Sequence, residues 1–265
     1  MTTQTESLDI RHYPPAVQGR GAFDGGRITE HKLVGFPHEG PRVPHLGPLF
    51  YWAWAAARGY GKIGLHPHRA FEIMSYALEG EIGHFDSLGC RSRVAGGGAQ
   101  IMQAGSGISH AEETLSGGRT EFFQIWFEPA LEEAMTRAPR YHDIQPEDFP
   151  RQTRDGVALK TLIGDGAPVA LETEAAMHDA SLSGGRNLDR CLGEGRTLAT
   201  AVVSGRGRLA RGNGETLPLA GGDFVVTHAR QRARVEFQAD AERALRLVLI
   251  EVLARVDYPL YRDRL

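Results

Sequence analysis

The sequence predicts an all-β protein of two antiparallel β-barrels with few short helices, and three observations carry that prediction. Apolar runs of strand length recur at residues 71–78, 124–127, 159–163, 198–203, 224–227 and 245–253, separated by glycine-containing turns. That texture belongs to a sandwich or barrel. Helical periodicity is scarce: only LEEAMT at residues 131–136 reads as a helix, and a brief one. The halves also repeat one another. Glu79-Gly80-Glu81 and Val94-Ala95-Gly96-Gly97-Gly98 find counterparts in Ser204-Gly205-Arg206 and Leu219-Ala220-Gly221-Gly222-Asp223, and both correspondences have one offset, 125 positions from Gly80 to Gly205 and from Gly97 to Gly222. A shared offset across two separate turns points to internal duplication.

A length of 265 residues accommodates two domains of ordinary size. The polar, proline-containing segment at residues 129–150 separates the β-rich halves. The expected domains are residues 1–140, opening with a polar tail of about 20 residues, and residues 141–265. A formal net charge of −3, with arginines scattered among acids, gives no electrostatic reason to expect direct binding of nucleic acid. No apolar run approaches the ~20 residues that a membrane helix needs, so no membrane contact is expected. Two cysteines, Cys90 and Cys191, cannot form a disulfide framework, and the N-terminus shows no signal-peptide pattern. A cytoplasmic location is the expectation.

The chemistry-bearing residues fall in two pairs. Leu65-His66-Pro67-His68-Arg69 places two histidines at a spacing of two, and Ser109-His110-Ala111-Glu112 repeats the device with an imidazole and a carboxylate. On strands, residues i and i+2 share a face. Two such pairs on facing strands would set three nitrogens and one oxygen around one point, a donor set suited to Fe(II), Mn, Ni, Cu or Zn. The spacing leaves an alternative open, because a histidine inside a barrel is commonly a hydrogen-bonded core residue. Against it, four buried polar side chains without a partner would be costly, and the turn Gly105-Ser106-Gly107 can bring the second pair back over the first. Glu72 shares strand parity with His66 and His68, so it is expected either to orient a ligand imidazole from behind or to close a turn or pair with Arg69. Asp86 is expected to bond its own turn backbone; His84 has no assigned role. Trp52 and Trp54 are expected to pack.

The region around these pairs resembles the pirin family, a branch of the bicupin superfamily. The resemblance rests on His66-Pro67-His68-Arg69, Phe71-Glu72, Tyr76, Leu78-Glu79-Gly80, His84, Asp86-Ser87-Leu88-Gly89, Gln100, Met102, Ala104-Gly105-Ser106-Gly107-Ile108, His110 and Glu112, and extends loosely to Gln124-Ile125-Trp126 and Glu128-Pro129. It implies two cupin-type barrels and a metal, Fe(II) foremost, held by His66, His68, His110 and Glu112. Three positions depart from the pattern: Ala70 stands where glycine is usual, Gly98 where aspartate is common and Ile101 where Trp is frequent; none of these removes a ligand. The offset places Cys191, Gly193, Val235 and Phe237 at the equivalent positions of the second half, so that half is expected to hold no metal. His178 and His228 stand alone there.

By resemblance, the activity is a dioxygenase of the quercetin 2,3-dioxygenase kind, with a small aromatic substrate and O2 as partners and Glu112 as general base. No organic cofactor is implied. The alternative is a non-catalytic, metal-dependent redox sensor that binds a regulatory protein. A sugar-phosphate isomerase on the same scaffold would want clustered cations, and Arg69 alone is thin support.

Overall fold

The computed structural model describes residues 7–210 and 215–264. Antiparallel strands predominate among the described residues, whose one α-helix, Leu131–Ala134, lies inside the segment expected to be helical. Among the described residues, no helix is long and apolar enough to cross a membrane. The chain divides into two compact units: Val17–Phe149 with Pro168–Thr173 and Val256–Leu265, and Met1–Ala16 with Pro150–Ala167 and Glu174–Arg255.

The first unit is a pair of sheets. Its seven-stranded sheet runs, edge to edge, Arg140–Ile144, Ala99–Gln103, Glu72–Glu79, Arg119–Phe127, Leu49–Arg58, Ile28–Val34 and Gly19–Phe23; its four-stranded sheet runs Gly61–His68, Ile108–Thr114, Glu81–Asp86 and Arg91–Ala95. Ile63, Ile82 and Val94 from the smaller sheet pack on Ile28, Ala55, Ala57, Ala77 and Phe122 from the larger, so the core lies between the two faces. Alternation along each strand sends every second side chain into that layer, where a fully buried Ile or Phe contributes ~1.5–3 kcal/mol. Neither sheet closes on itself by hydrogen bonds. The expected barrels are therefore open-edged, jelly-roll-like sandwiches.

The second unit is organised around the fifteen-residue strand Arg196–Ala210. The first part of this strand pairs with Phe224–Ala229 and Leu245–Leu253, and its end pairs with Thr216–Ala220 and Ala233–Ala239. Two expectations about the domains need correction. Residues 8–13 are not a tail of the first half: Leu8–Tyr13 pairs with Phe224–Ala229 in the second unit, because Leu8 and Ile10 alternate into its core. A boundary after residue 140 also falls too early, since Arg140–Ile144 adds an edge strand beside Ala99–Gln103; the units exchange at Phe149 and Pro150.

The repeat survives at atomic detail. Gly96 N–H donates to Gly80 O at 2.8 Å and Gly221 N–H to Gly205 O at 3.1 Å; Gly97 N–H donates to Ala77 O at 2.7 Å and Gly222 N–H to Val202 O at 2.8 Å. Ala77 N–H to Gly98 O and Val202 N–H to Asp223 O repeat the same offset. Gly80 and Gly205 have φ of 78° and 89°, the left-handed region that glycine enters without steric cost. A Cβ on Gly205 would meet Ala244 O at 1.9 Å, and one on Gly80 would meet Arg119 O at 2.7 Å. Gly205→Ala therefore combines backbone strain with a backbone clash and should cost about 3 kcal/mol or more. A urea midpoint unchanged from the parent protein would contradict the turn geometry.

Candidate metal centre

Gly61–His68 and Ile108–Thr114 are antiparallel neighbours, with His110 opposite His66 and Ile108 opposite His68. The pairing brings the three imidazoles together: ring centroids lie 4.8 Å apart for His66 and His68, 4.5 Å for His66 and His110, and 4.9 Å for His68 and His110. One nitrogen from each lies within 4.8 Å of the others. His66 Nδ1 is 2.8 Å from Gly64 O; donating there leaves Nε2 as the lone-pair nitrogen. The Nε2 atoms of His68 and His110 are buried and have no hydrogen-bond partner. Burial, reinforced by the neighbouring imidazoles, pushes both pKa values down to about 3. Two imidazoles of lowered pKa with partnerless Nε2 atoms, joined by the half-buried His66, make a nitrogen set that fits a divalent cation.

Glu112 is buried beside this cluster but is not one of the atoms that close within it. The register shifts between His110 and Glu112, so that Glu112 lies opposite Ile63. Its Oε1 accepts from the Ser75 hydroxyl at 2.8 Å and its Oε2 from Gln124 Nε2 at 2.5 Å. Ser75 and Gln124 are cross-strand partners in the seven-stranded sheet, so the carboxylate is clamped across the two layers with one lone-pair direction of each oxygen used.

Glu72 does not orient an imidazole. Its Oε1 accepts from Gln103 Nε2 and Glu172 N–H, both at 2.7 Å, and its Oε2 accepts from Thr173 N–H at 2.9 Å. It ties residues 172–173 to the sheet. The parity argument fails at Ala70, whose φ of 71° turns the chain out of one sheet and into the other. The same left-handed conformation explains why glycine is favoured at that position.

Sequence reasoning missed two parts of the site. One is an aromatic wall: Trp126 stands edge-on to His68 with centroids 4.9 Å apart, Tyr51 lies 4.6 Å from Trp126, and Phe50 and Phe71 continue the cluster at 4.7 Å from each other. Strand parity with Gln124 was the available signal for Trp126. Trp52 and Trp54 instead pack on Phe123. The other is a buried polar group in which Lys32 contacts Glu39, Glu30 and Tyr51. Burial raises the pKa of Glu30 against the pull of Lys32, and burial together with these carboxylates raises that of Tyr51. Asp86 does bond its turn, accepting from Leu88 N–H at 2.9 Å and Cys90 N–H at 3.1 Å, and it also meets His84.

The family model described as Pirin matches residues 54–127, the stretch that holds all four expected ligands. A pirin-like protein of Caulobacter vibrioides is 30% identical over 239 residues, covering 86% of this chain and 86% of its own length. The chain belongs to the pirin family. Another relative, a Pseudomonas aeruginosa protein with a provisional quercetin 2,3-dioxygenase name, is 33% identical over 215 residues, covering 75% of this chain and 70% of its own. The crystal structure of the bacterial pirin YhhW from Escherichia coli in complex with nickel(II) has a TM-score of 0.75 at 23% identity, covering 94% of this chain and 100% of that one. That likeness establishes the fold, two cupin-type sandwiches in one chain. In the second sandwich of this pirin, the places of His110 and Glu112 are taken by Val235 and Phe237, both fully buried in an apolar core with Leu188 and Leu209. Outside the three-imidazole cluster, burial and Arg190 lower the pKa of His178 to about 4, and His228 contacts the Thr197 hydroxyl.

Proposed function

We propose that His66, His68, His110 and Glu112 hold one Fe(II) ion and that the protein is a dioxygenase acting on a flavonol such as quercetin with O2. The observation that carries this reading is the pair of buried, partnerless Nε2 atoms on His68 and His110, with Trp126 beside His68. Bound there, the metal supplies Lewis acidity and the electron chemistry that O2 requires. The protein supplies orientation. Trp126, half-buried beside His68 and backed by Tyr51, is the aromatic surface that a planar substrate would meet. Ser75 and Gln124 fix the Glu112 carboxylate, which takes the proton of the substrate hydroxyl as general base through its remaining lone pairs. Phe50 and Phe71 pack behind Trp126 and extend its apolar surface. In the overall reaction the heterocycle opens, one ring carbon leaves as carbon monoxide, and both oxygen atoms of O2 enter the products.

The test is anaerobic loading with Fe(II), then addition of oxygenated quercetin with optical detection of its loss and carbon monoxide measurement. Equal amounts of quercetin consumed and carbon monoxide formed are expected. No turnover with Fe, Mn, Ni or Cu would overturn the enzymatic reading in favour of a metal-dependent sensor that binds a regulatory protein.

A further inference from the structure

Behind His110, away from its partnerless Nε2, lies a chain of polar contacts that ends at a buried carboxylate. His110 Nδ1 is 3.5 Å from His84 Nδ1, and His84 Nε2 is 2.9 Å from Asp86 Oδ2. Asp86 is fully buried, and its other oxygen is occupied by the N–H groups of Leu88 and Cys90. The His84 ring is held flat against Tyr141, with centroids 3.9 Å apart and planes within 11°, and the Tyr141 hydroxyl is anchored by Ser92. Strand pairing enforces the arrangement, because His110 lies opposite Asp86, and Glu112 opposite His84, in the register of Ile108–Thr114 with Glu81–Asp86.

We propose that His84 and Asp86 are positioning residues that fix the tautomer of His110. The inference rests on reading His110 as a metal ligand. Asp86 accepts two backbone N–H groups on Oδ1, and a carboxylate in that accepting role at Oδ2 places the His84 proton on Nε2. His84 Nδ1 is then an acceptor, and the hydrogen bond at 3.5 Å takes its proton from His110 Nδ1. The lone pair of His110 is thereby left on Nε2, the atom that faces the other two imidazoles without a partner. One carboxylate sets the direction of two successive imidazoles, and the geometry would otherwise permit the opposite order. Partners of this kind orient ligands and are typically worth about 10–100-fold in metal affinity.

The experiment begins with metal-free, 15N-labelled protein and long-range proton–nitrogen correlation spectra of the imidazole rings. The expected result is His84 protonated at Nε2 and His110 at Nδ1, a readout that needs neither metal nor activity. In Asp86→Asn the amide oxygen can keep the Leu88 and Cys90 N–H groups while its NH2 faces His84 Nε2, which reverses the order. Both imidazoles should change tautomer, and Ni(II) or Co(II) affinity, measured by chelator competition, should fall about 10–100-fold. His84→Phe keeps the stack on Tyr141 and cuts the relay; His110 should then populate both tautomers in a folded protein. His110 protonated at Nε2 in the parent protein would overturn the proposal, as would an unchanged tautomer in Asp86→Asn. Reversed tautomers with unchanged metal affinity would overturn the ligand reading of His110 and leave the relay standing.

Discussion

Replacing His68 and His110 together by alanine should leave a folded protein that retains no divalent metal. Four-ligand structural zinc sites bind with apparent energies of about 10–16 kcal/mol; on that scale each of four ligands carries about 3 kcal/mol, roughly a hundredfold in affinity. Losing two should take binding out of the range that survives purification. The fold should tolerate the change, because the Nε2 atoms of both rings are buried without a partner; their removal relieves a desolvation cost that offsets part of the cavity left behind. Metal content of the purified variant, with far-ultraviolet circular dichroism as the folding control, checks this. Glu72→Gln is the contrasting variant: Glu72 bonds Gln103, Glu172 and Thr173 rather than an imidazole, so metal content should not change. Full metal content in the double alanine variant would remove the site.

The second large effect is on acid stability without metal. His68 and His110 have pKa values lowered from 6.5 to about 3 in the folded protein, chiefly by burial. Between those limits the unfolded chain binds protons that the folded chain refuses, so stability falls as pH drops from about 6.5 towards about 3. Each imidazole contributes a slope of up to about 1.4 kcal/mol per pH unit. Urea midpoints of metal-free protein across this window should fall more steeply than those of the double alanine variant, which lacks both groups; the comparison cancels the carboxylates that titrate in the same range. Bound metal occupies the proton-accepting nitrogens and should hold the midpoints up until it dissociates. Identical slopes for the parent and the variant would show that neither imidazole is kept neutral.

The three histidines were legible because strand periodicity is rigid: with a spacing of two, His66 and His68 had to share a face. The turn glycines were legible for a related reason, since a left-handed φ leaves few alternatives at Gly80 and Gly205. Parity misled at Glu72, because periodicity says nothing once a residue such as Ala70 switches the chain between sheets. The Trp126 and Tyr51 wall, the Lys32 group and the His84 relay each unite residues from separate strands. Sheet order brings them together, and no local pattern encodes sheet order. The strand at Leu8–Tyr13 was hidden for the same reason: its partner lies more than 200 positions along the chain.

Val235 and Phe237 at the duplicated positions give the two halves unequal debts. On the reading proposed above, one half folds around nitrogen atoms that an ion would satisfy. The other fills the places of His110 and Glu112 with hydrocarbon. If the imidazoles hold metal as proposed, its scarcity acts at His110 and Glu112, whereas substitutions at Val235 and Phe237 answer to packing.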